Sequence, residues 1–438
     1  MQNSVFSRQL VESIVDELKI TDLAQATIGQ VVLLASALEQ RTGIPFIRMD
    51  QGVPGLSPNQ VGIAAEKAAL DTGIAAIYPA AEGVPELKRE TSRFVKAFLN
   101  VDITPEACIP TTGSVAGSFG SFIVTSQCSP GKDTVLVIDP GFPIQKSQLK
   151  ILGVKYRQFD IFNYRGAALR DKLESFLKEG NISAIIYSNP NNPAWICLEE
   201  EELQIIGELA TQYDTIVLED LAYFAMDFRR DLSRPFEPPF QATVARYTDN
   251  YMLMLSASKI FSYAGQRMAV VCISDKLFNR RYPALAERYN GAGLFGNTFT
   301  NAIMYMITSG ASHSVQFGLA AMYKAACDGQ IDFVADTMEY GRRAEKMKRL
   351  FCENGFHVVY DKDVEQPIGD GFFFTIGYPG MTSGELMREL LYYGISSITL
   401  NTTGSLQEGI RACTSRMTDE LFDILEQRLK AFKTDHPL

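Results

Sequence analysis

The chain has 438 residues, 46% of them hydrophobic and 21% charged, enough to bury one large core and a smaller one, so two domains are expected. A formal net charge of -10 repels polyanions, which excludes nucleic acid and anionic membranes as partners and requires any bound phosphate to be held locally. Seven scattered cysteines, none at CxxC spacing, read as reduced cytoplasmic thiols, while His313, His357 and His436 offer no metal-ligand spacing and no material for a Ser-His-Asp triad.

The opening residues, MQNSVFSRQLVESIVDELKI, carry acidic residues early and lack a basic stretch followed by an apolar one, so no signal peptide is expected. No run is long enough for a membrane-spanning helix. Between residues 8 and 42, apolar positions recur at helical spacing (Val11, Ile14, Val15, Leu18, then Ile28, Val31, Val32, Leu34, Leu38) and predict a helical arm. From Val135 short apolar runs alternate with helical stretches: VLVID, KYRQFDIF, SAIIYSN, TIVLED, YMLMLSAS and RMAVVCIS. This alternation predicts α/β layers around a largely parallel sheet, with TIVLED and SAIIYSN apolar almost throughout as strands covered on both faces must be.

The loop SRPFEPPF at 233–240 reads as a surface excursion. After about residue 320 a charged helix, EYGRRAEKMKRLF, is followed by strand-like FHVVY, GFFFTIG and EGIRACT and a final helix, MTDELFDILEQRLKAF, which together predict a smaller α+β domain. The expected division is an arm over 1–50 that joins the small domain, a large domain over 51–320 and a small domain over 321–438.

In such architectures ligands lie at the carboxyl ends of the strands, so the polar residues just after each run are the first candidates. Lys259, in SASKIFSYAGQRM, follows an apolar run within a small-residue turn, where desolvation favours a neutral amine able to attack an aldehyde. Alone it reads equally as a solvated loop lysine. Ser256, Ser258 and Arg267 surround it with hydroxyl and guanidinium donors suited to a phosphate dianion. In TTGSVAGSFGSF, Gly113, Ser114 and Val115 precede a predicted helix whose free N–H groups and positive dipole end suit an anion.

Asp220 ends the run TIVLED, and Tyr223 follows three residues later. That carboxylate can keep a pyridine nitrogen protonated and the hydroxyl can bond a phenolic oxygen; a capping aspartate and a half-buried tyrosine are the plain alternative. Asn192, in NPNNPAW, makes either a turn or a further polar contact.

The order of these elements resembles the fold-type I pyridoxal-phosphate enzymes, in particular the class I/II aminotransferases, from about Ile47 to Arg411. The resemblance implies an aspartate-aminotransferase-like α/β fold: a large domain with a mostly parallel seven-stranded sheet between helices, plus the smaller α+β domain. It implies pyridoxal 5'-phosphate as cofactor and no metal. Lys259 resembles the Schiff-base lysine, Ser256, Ser258 and Arg267 the phosphate ligands, and Gly113, Ser114 and Val115 the loop before the phosphate-binding helix. Asp220 and Tyr223 match the family's DxxY, and Asn192 in NNP matches a second partner of the phenolic oxygen.

Phe142, in DPGFP, falls where the family stacks an aromatic ring on the cofactor, and Tyr78, in YPAAEGVPEL, resembles a tyrosine that reaches the phosphate of a neighbouring subunit, which implies a homodimer. Arg411, in EGIRACT, resembles the arginine that binds the substrate α-carboxylate, with Gly52 offering it a backbone N–H; the alternative for Arg411 is a surface arginine on a strand.

Transamination between an L-amino acid and a 2-oxo acid by a ping-pong route is the expectation, with Lys259, Asp220 and Tyr223 as catalytic residues. A β-lyase or decarboxylase on the same fold, and a non-catalytic binding or regulatory protein that retains the fold, stand as rivals. A nucleotide-binding oxidoreductase is disfavoured, because Gly113, Gly117 and Gly120 lack G-x-G-x-x-G spacing and follow no clear strand. Ala194 and Trp195 stand where Thr-Gly is usual in the family, Met268-Ala269 follow Arg267 where a glycine is common, and LNTTGS replaces a Pro-Gly-x-x-Phe, so a standard substrate specificity is not inherited.

Overall fold

The computed structural model describes residues 3–438; Met1 and Gln2, the start of the expected arm, lie outside the described residues. The chain divides into two compact units, one comprising Met1–Gly55, Asn192–Ile196 and Met338–Leu438, the other Leu56–Asn191 and Cys197–Thr337.

The second unit is built on a seven-stranded sheet. Its strands in chain order are β1 (Cys108–Thr111), β2 (Thr134–Asp139), β3 (Lys155–Asp160), β4 (Ile182–Ser188), β5 (Ile216–Leu221), β6 (Tyr251–Ser256) and β7 (Ala269–Ile273). In space they run β1-β7-β6-β5-β4-β2-β3. β7 is antiparallel to both of its neighbours, and all other pairings are parallel.

Every residue of β2, β4, β5, β6 and β7 is buried, as a sheet covered on both faces requires. On one face Val135, Ile186, Leu218 and Met252 pack with Phe122 and Leu149 from the helices Gly113–Thr125 and Pro143–Leu152. The second of these helices is bounded by its own sequence, with Pro143 in its first turn and Gly153 in a left-handed C-cap.

The strand β1 was not legible, since CIPT is four residues long and contains a proline. The loop 233–240 helps to close a helix end, because Phe236 and Gln241 donate backbone N–H groups to the carbonyls of Ala97 and Phe98 in the last turn of Pro85–Leu99. The expected boundary at residue 320 falls inside the helix His313–Cys327, and the second unit continues to Thr337. That helix packs on Gln60–Asp71 so closely that a Cβ on Gly62 would stand 2.6 Å from the sulfur of Met322.

In the first unit the expected arm resolves into two helices, Arg8–Glu17 and Ile28–Thr42, started by Ser7 and by a Thr27–Gln30 capping box. A four-stranded antiparallel sheet places Ile398–Thr399, Ile410–Cys413, Phe373–Gly377 and His357–Val358 side by side. Val11, Leu34, Phe374, Leu390 and Leu425 join arm, sheet and carboxyl-terminal helix in one core, which makes this unit α+β. Among the described residues no helix is long and apolar enough to cross a membrane.

Leu218 is fully buried at the centre of β5. Leu218→Ala is expected to cost about 2–5 kcal/mol through lost burial and a residual cavity, read as a lower urea midpoint by circular dichroism. An unchanged midpoint would contradict this packing.

Candidate active site

The direction of β7 brings distant residues to one end of the sheet. Ala269, at its amino end, pairs with Thr111 on one side and Ser256 on the other, so the residues after β1, after β6 and before β7 all emerge there. Those residues are Gly113, Lys259 and Arg267. Gly113 has φ +74°, and a Cβ on it would stand 2.5 Å from Nη2 of Arg267. The positive φ favours glycine, and a side chain here would push the guanidinium out of its place.

Arg267 is itself left-handed (φ +54°), and its Nη1 donates to the Ala264 carbonyl at 2.8 Å. The side chain of Ser256 accepts from the Ser258 N–H at 3.2 Å, capping the short helix Ala257–Ile260 that carries half-buried Lys259. Ser114 and Val115 lie in the first turn of Gly113–Thr125, not ahead of it. Gln148 ties this turn to the next helix, donating to the Val115 carbonyl at 2.7 Å and accepting from Ser118 at 2.8 Å. Free N–H groups of a helix start beside a guanidinium make a cradle for a dianion.

Contrary to expectation, a strand does precede these glycines, since β1 ends two residues before Gly113. Gly117 and Gly120 nevertheless face inward, where a Cβ would meet Val271 at 2.9 Å and the sulfur of Met304 at 2.5 Å. They are packing glycines, so a dinucleotide loop gains nothing from that strand.

Asp220 lies near the end of β5 and is 6% exposed. One carboxylate oxygen accepts from Nε2 of Gln145 at 3.0 Å and the other from the Ala222 N–H at 3.2 Å. Burial pushes its pKa up to about 6, against the opposing pull of those two donors. Gln145 was not singled out from sequence, because an amide carries no signal of its own. It sits three residues after Phe142, the N-cap of Pro143–Leu152, so one helix start presents both side chains.

The neighbouring Glu219 points to the opposite face, where Thr243, Tyr187 and the Val244 N–H bond it, and its pKa rises to about 7 through burial. Tyr223 is buried. Tyr78 is not: it is 86% exposed, in a second-unit loop with the exposed Ile77.

In the first unit Arg411 is 1% exposed, so it is no surface arginine. Its Nη1 donates to Oδ1 of Asn192 at 3.1 Å and its Nη2 to the carbonyl of Asp50 at 2.7 Å. Asp50 is anchored in turn. Burial alone would raise its carboxyl, but two bonds from Arg48 and one from Ser396 hold it below the usual carboxylate range. Gly52 lies two residues on, with the Phe373 ring 3.0 Å from where its Cβ would be. Asn192 thus groups with Arg411 and Gly52, while Lys259, Asp220, Tyr223, Phe142, Ser256, Ser258, Arg267 and the Gly113 turn belong to the second unit.

The family model described as aminotransferase class I and II matches residues 45–429. Among curated proteins, the chain is 24% identical over 277 residues to an aspartate aminotransferase of Sulfolobus acidocaldarius, covering 61% of this chain and 66% of that protein. It is 34% identical over 293 residues to the glutamate-pyruvate aminotransferase AlaC of Escherichia coli, covering 65% and 62% respectively. The chain therefore spans less than two thirds of the length of either relative. Among solved structures, an alanine aminotransferase from Pyrococcus furiosus superposes with a TM-score of 0.74 at 19% identity, covering 96% of this chain and 99% of that one, which establishes the aspartate-aminotransferase-like fold.

Because the folded state holds Asp220 above its ordinary value, it binds a proton in a window where the unfolded chain does not. Asp220 therefore favours folding below about pH 4, and that contribution is lost as pH rises through about 6. Asp220→Asn is expected to remove this window, stabilising the ligand-free protein at pH 7 relative to pH 4; urea unfolding of both proteins across that range checks it, and parallel curves would contradict it.

Proposed function

Given that the chain belongs to the class I and II aminotransferases, a family whose enzymes use pyridoxal phosphate, we propose that it transfers an amino group between an L-amino acid and a 2-oxo acid. The observation that carries this reading is the convergence at one sheet end of Lys259, the Gly113 turn and Arg267, with a buried carboxylate on the adjacent strand. These residues fit the cofactor's two demands. A dianion finds N–H groups of the turn 113–115, the hydroxyls of Ser256 and Ser258 and the guanidinium of Arg267, and a pyridinium finds a buried anion in Asp220. The second unit is in this reading the cofactor-binding domain.

Pyridoxal phosphate supplies an aldehyde that links to amines and a pyridinium ring that draws electrons from the bond being broken. Lys259 would hold the aldehyde carbon through its ε-amine and, as a free amine, would take the α-proton of the amino donor. Asp220 would hold a proton on the ring nitrogen, with Gln145 keeping that carboxylate aimed and favouring its ionised form. Tyr223 and Asn192 would bind the phenolic oxygen, and Phe142 would cover a face of the ring. Arg411, with the Gly52 N–H, takes the α-carboxylate, for which a planar guanidinium edge is the matching donor.

We further read the protein as a cytoplasmic homodimer in which Tyr78 reaches the partner's phosphate. Ile77, Tyr78 and Met306, at 60%, 86% and 72% exposure, support this as apolar surface on the second unit. Seven cysteines, all unbridged, agree with a reducing compartment.

Initial rates against an amino acid and a 2-oxo acid test the reaction. Parallel double-reciprocal lines are expected, with turnover in Lys259→Ala lowered by at least about a thousandfold. Ammonia and pyruvate released without any second oxo acid would overturn transamination in favour of elimination. Tyr78→Ala is expected to weaken cofactor binding by roughly tenfold, one lost charge-assisted hydrogen bond, with sedimentation unchanged as a dimer; unaltered cofactor affinity would contradict the shared site.

A further inference from the structure

The aromatic segment GFFFTIG has no part in the chemistry above, yet one of its rings lies on Arg411. The strand register explains why. Arg411 pairs with Thr375 across the antiparallel ladder, so Phe373, two residues away, shares its face of the sheet. The ring centroid of Phe373 is 4.5 Å from Cζ of Arg411. Asn192 and the Asp50 carbonyl meet the guanidinium nitrogens, and the ring lies over its face.

Phe373 is itself braced. Trp195 meets it at 6.3 Å between centroids and 70° between planes, Phe372 meets it at 5.1 Å and 73°, and Gly52 leaves room for its ring tip. Trp195 is fully buried and holds φ +64°, a region that bulky side chains avoid. Its indole lies 2.0 Å from where a Cβ on Gly371 would be, so residue 371 has given up its side chain to admit it. A strained backbone persists only where its surroundings over-determine it, and here they hold a tryptophan against the ring that covers Arg411.

We propose that Phe373, braced by Trp195, is a positioning residue that fixes the plane of the Arg411 guanidinium and thereby sets affinity for the substrate carboxylate. This rests on the reading that Arg411 binds that carboxylate. A carboxylate approaches a guanidinium in its plane, through the edge, so a guanidinium free to tilt loses the bidentate geometry. A ring stacked on the face removes the tilt and adds cation–π attraction in a buried setting. Phe373, with Trp195 packed behind it, gives that face of the arginine an apolar cover.

The test uses holoenzyme with cofactor absorbance equal to the parent's. Two ringless variants, F373L and F373M, are compared with W195F and R411K. The readouts are kcat, KM for the amino donor, and the inhibition constant of propionate, a carboxylate that cannot react. F373L and F373M are expected to raise KM and the propionate constant roughly five- to thirty-fold with kcat changed by less than about twofold, the loss of one buried cation–π contact. W195F should fall between these variants and the parent. Unchanged propionate inhibition in F373L and F373M while R411K weakens it overturns the positioning role alone. Unchanged inhibition in R411K overturns the carboxylate reading of Arg411 itself. A fall in kcat at constant KM in the ringless variants would also overturn the proposal, because positioning a binding group acts on affinity.

Discussion

The guanidinium of Arg267 fills the space where a side chain on residue 113 would begin, and the rest of the second unit's site is arranged around that close approach. It depends on a single strand running against its neighbours. Were β7 parallel, Arg267 would emerge at the far end of the sheet; antiparallel, it stands beside the turn after β1 and the short helix after β6. Two local conformations complete it: Gly113 and Arg267 are both left-handed, a backbone that glycine adopts at no steric cost and that leaves room for the guanidinium. A helix start, an arginine and a half-buried lysine thus come together without any excess of positive charge over the chain, whose net charge is negative.

The second constraint is electrostatic. β5 carries two adjacent carboxyls, and the alternation of a strand sends them to opposite faces. Glu219 meets a hydroxyl, a phenol and a backbone N–H, an arrangement that anchors the segment at Thr243. Asp220 meets an amide and a backbone N–H, too little to hold it at its ordinary value once buried. A buried carboxylate held this way is costly, and a cation bound beside it, such as the pyridinium proposed above, would relieve that cost. The same neutral amide, Gln145, leaves the carboxylate's charge uncompensated where a cationic side chain would have cancelled it.

Much of this was legible in the chain. Six strands of the large sheet read as apolar runs, and Lys259, Ser256, Arg267 and Asp220 stand out as polar residues at their ends. The strand β1 escaped because four residues with a proline have no period. Gln145 and Gln148 escaped because what they do depends on a neighbouring helix, not on their own chemistry. The grouping of Asn192 with Arg411 joins residues 219 positions apart, and nothing local announces it. Trp195 was visible as a departure from the family's pattern, but its left-handed backbone and its grip on Phe373 are properties of packing. The aromatic run around Phe373 read only as a strand; it is buried core that also faces Arg411.

Covalent trapping shows whether Lys259 is the residue that holds the cofactor. Protein loaded with pyridoxal phosphate is reduced with borohydride, digested and mapped by mass spectrometry. The account predicts one pyridoxyl-phosphate adduct, on the peptide that contains Lys259. An adduct on another lysine, or none after loading, would contradict it.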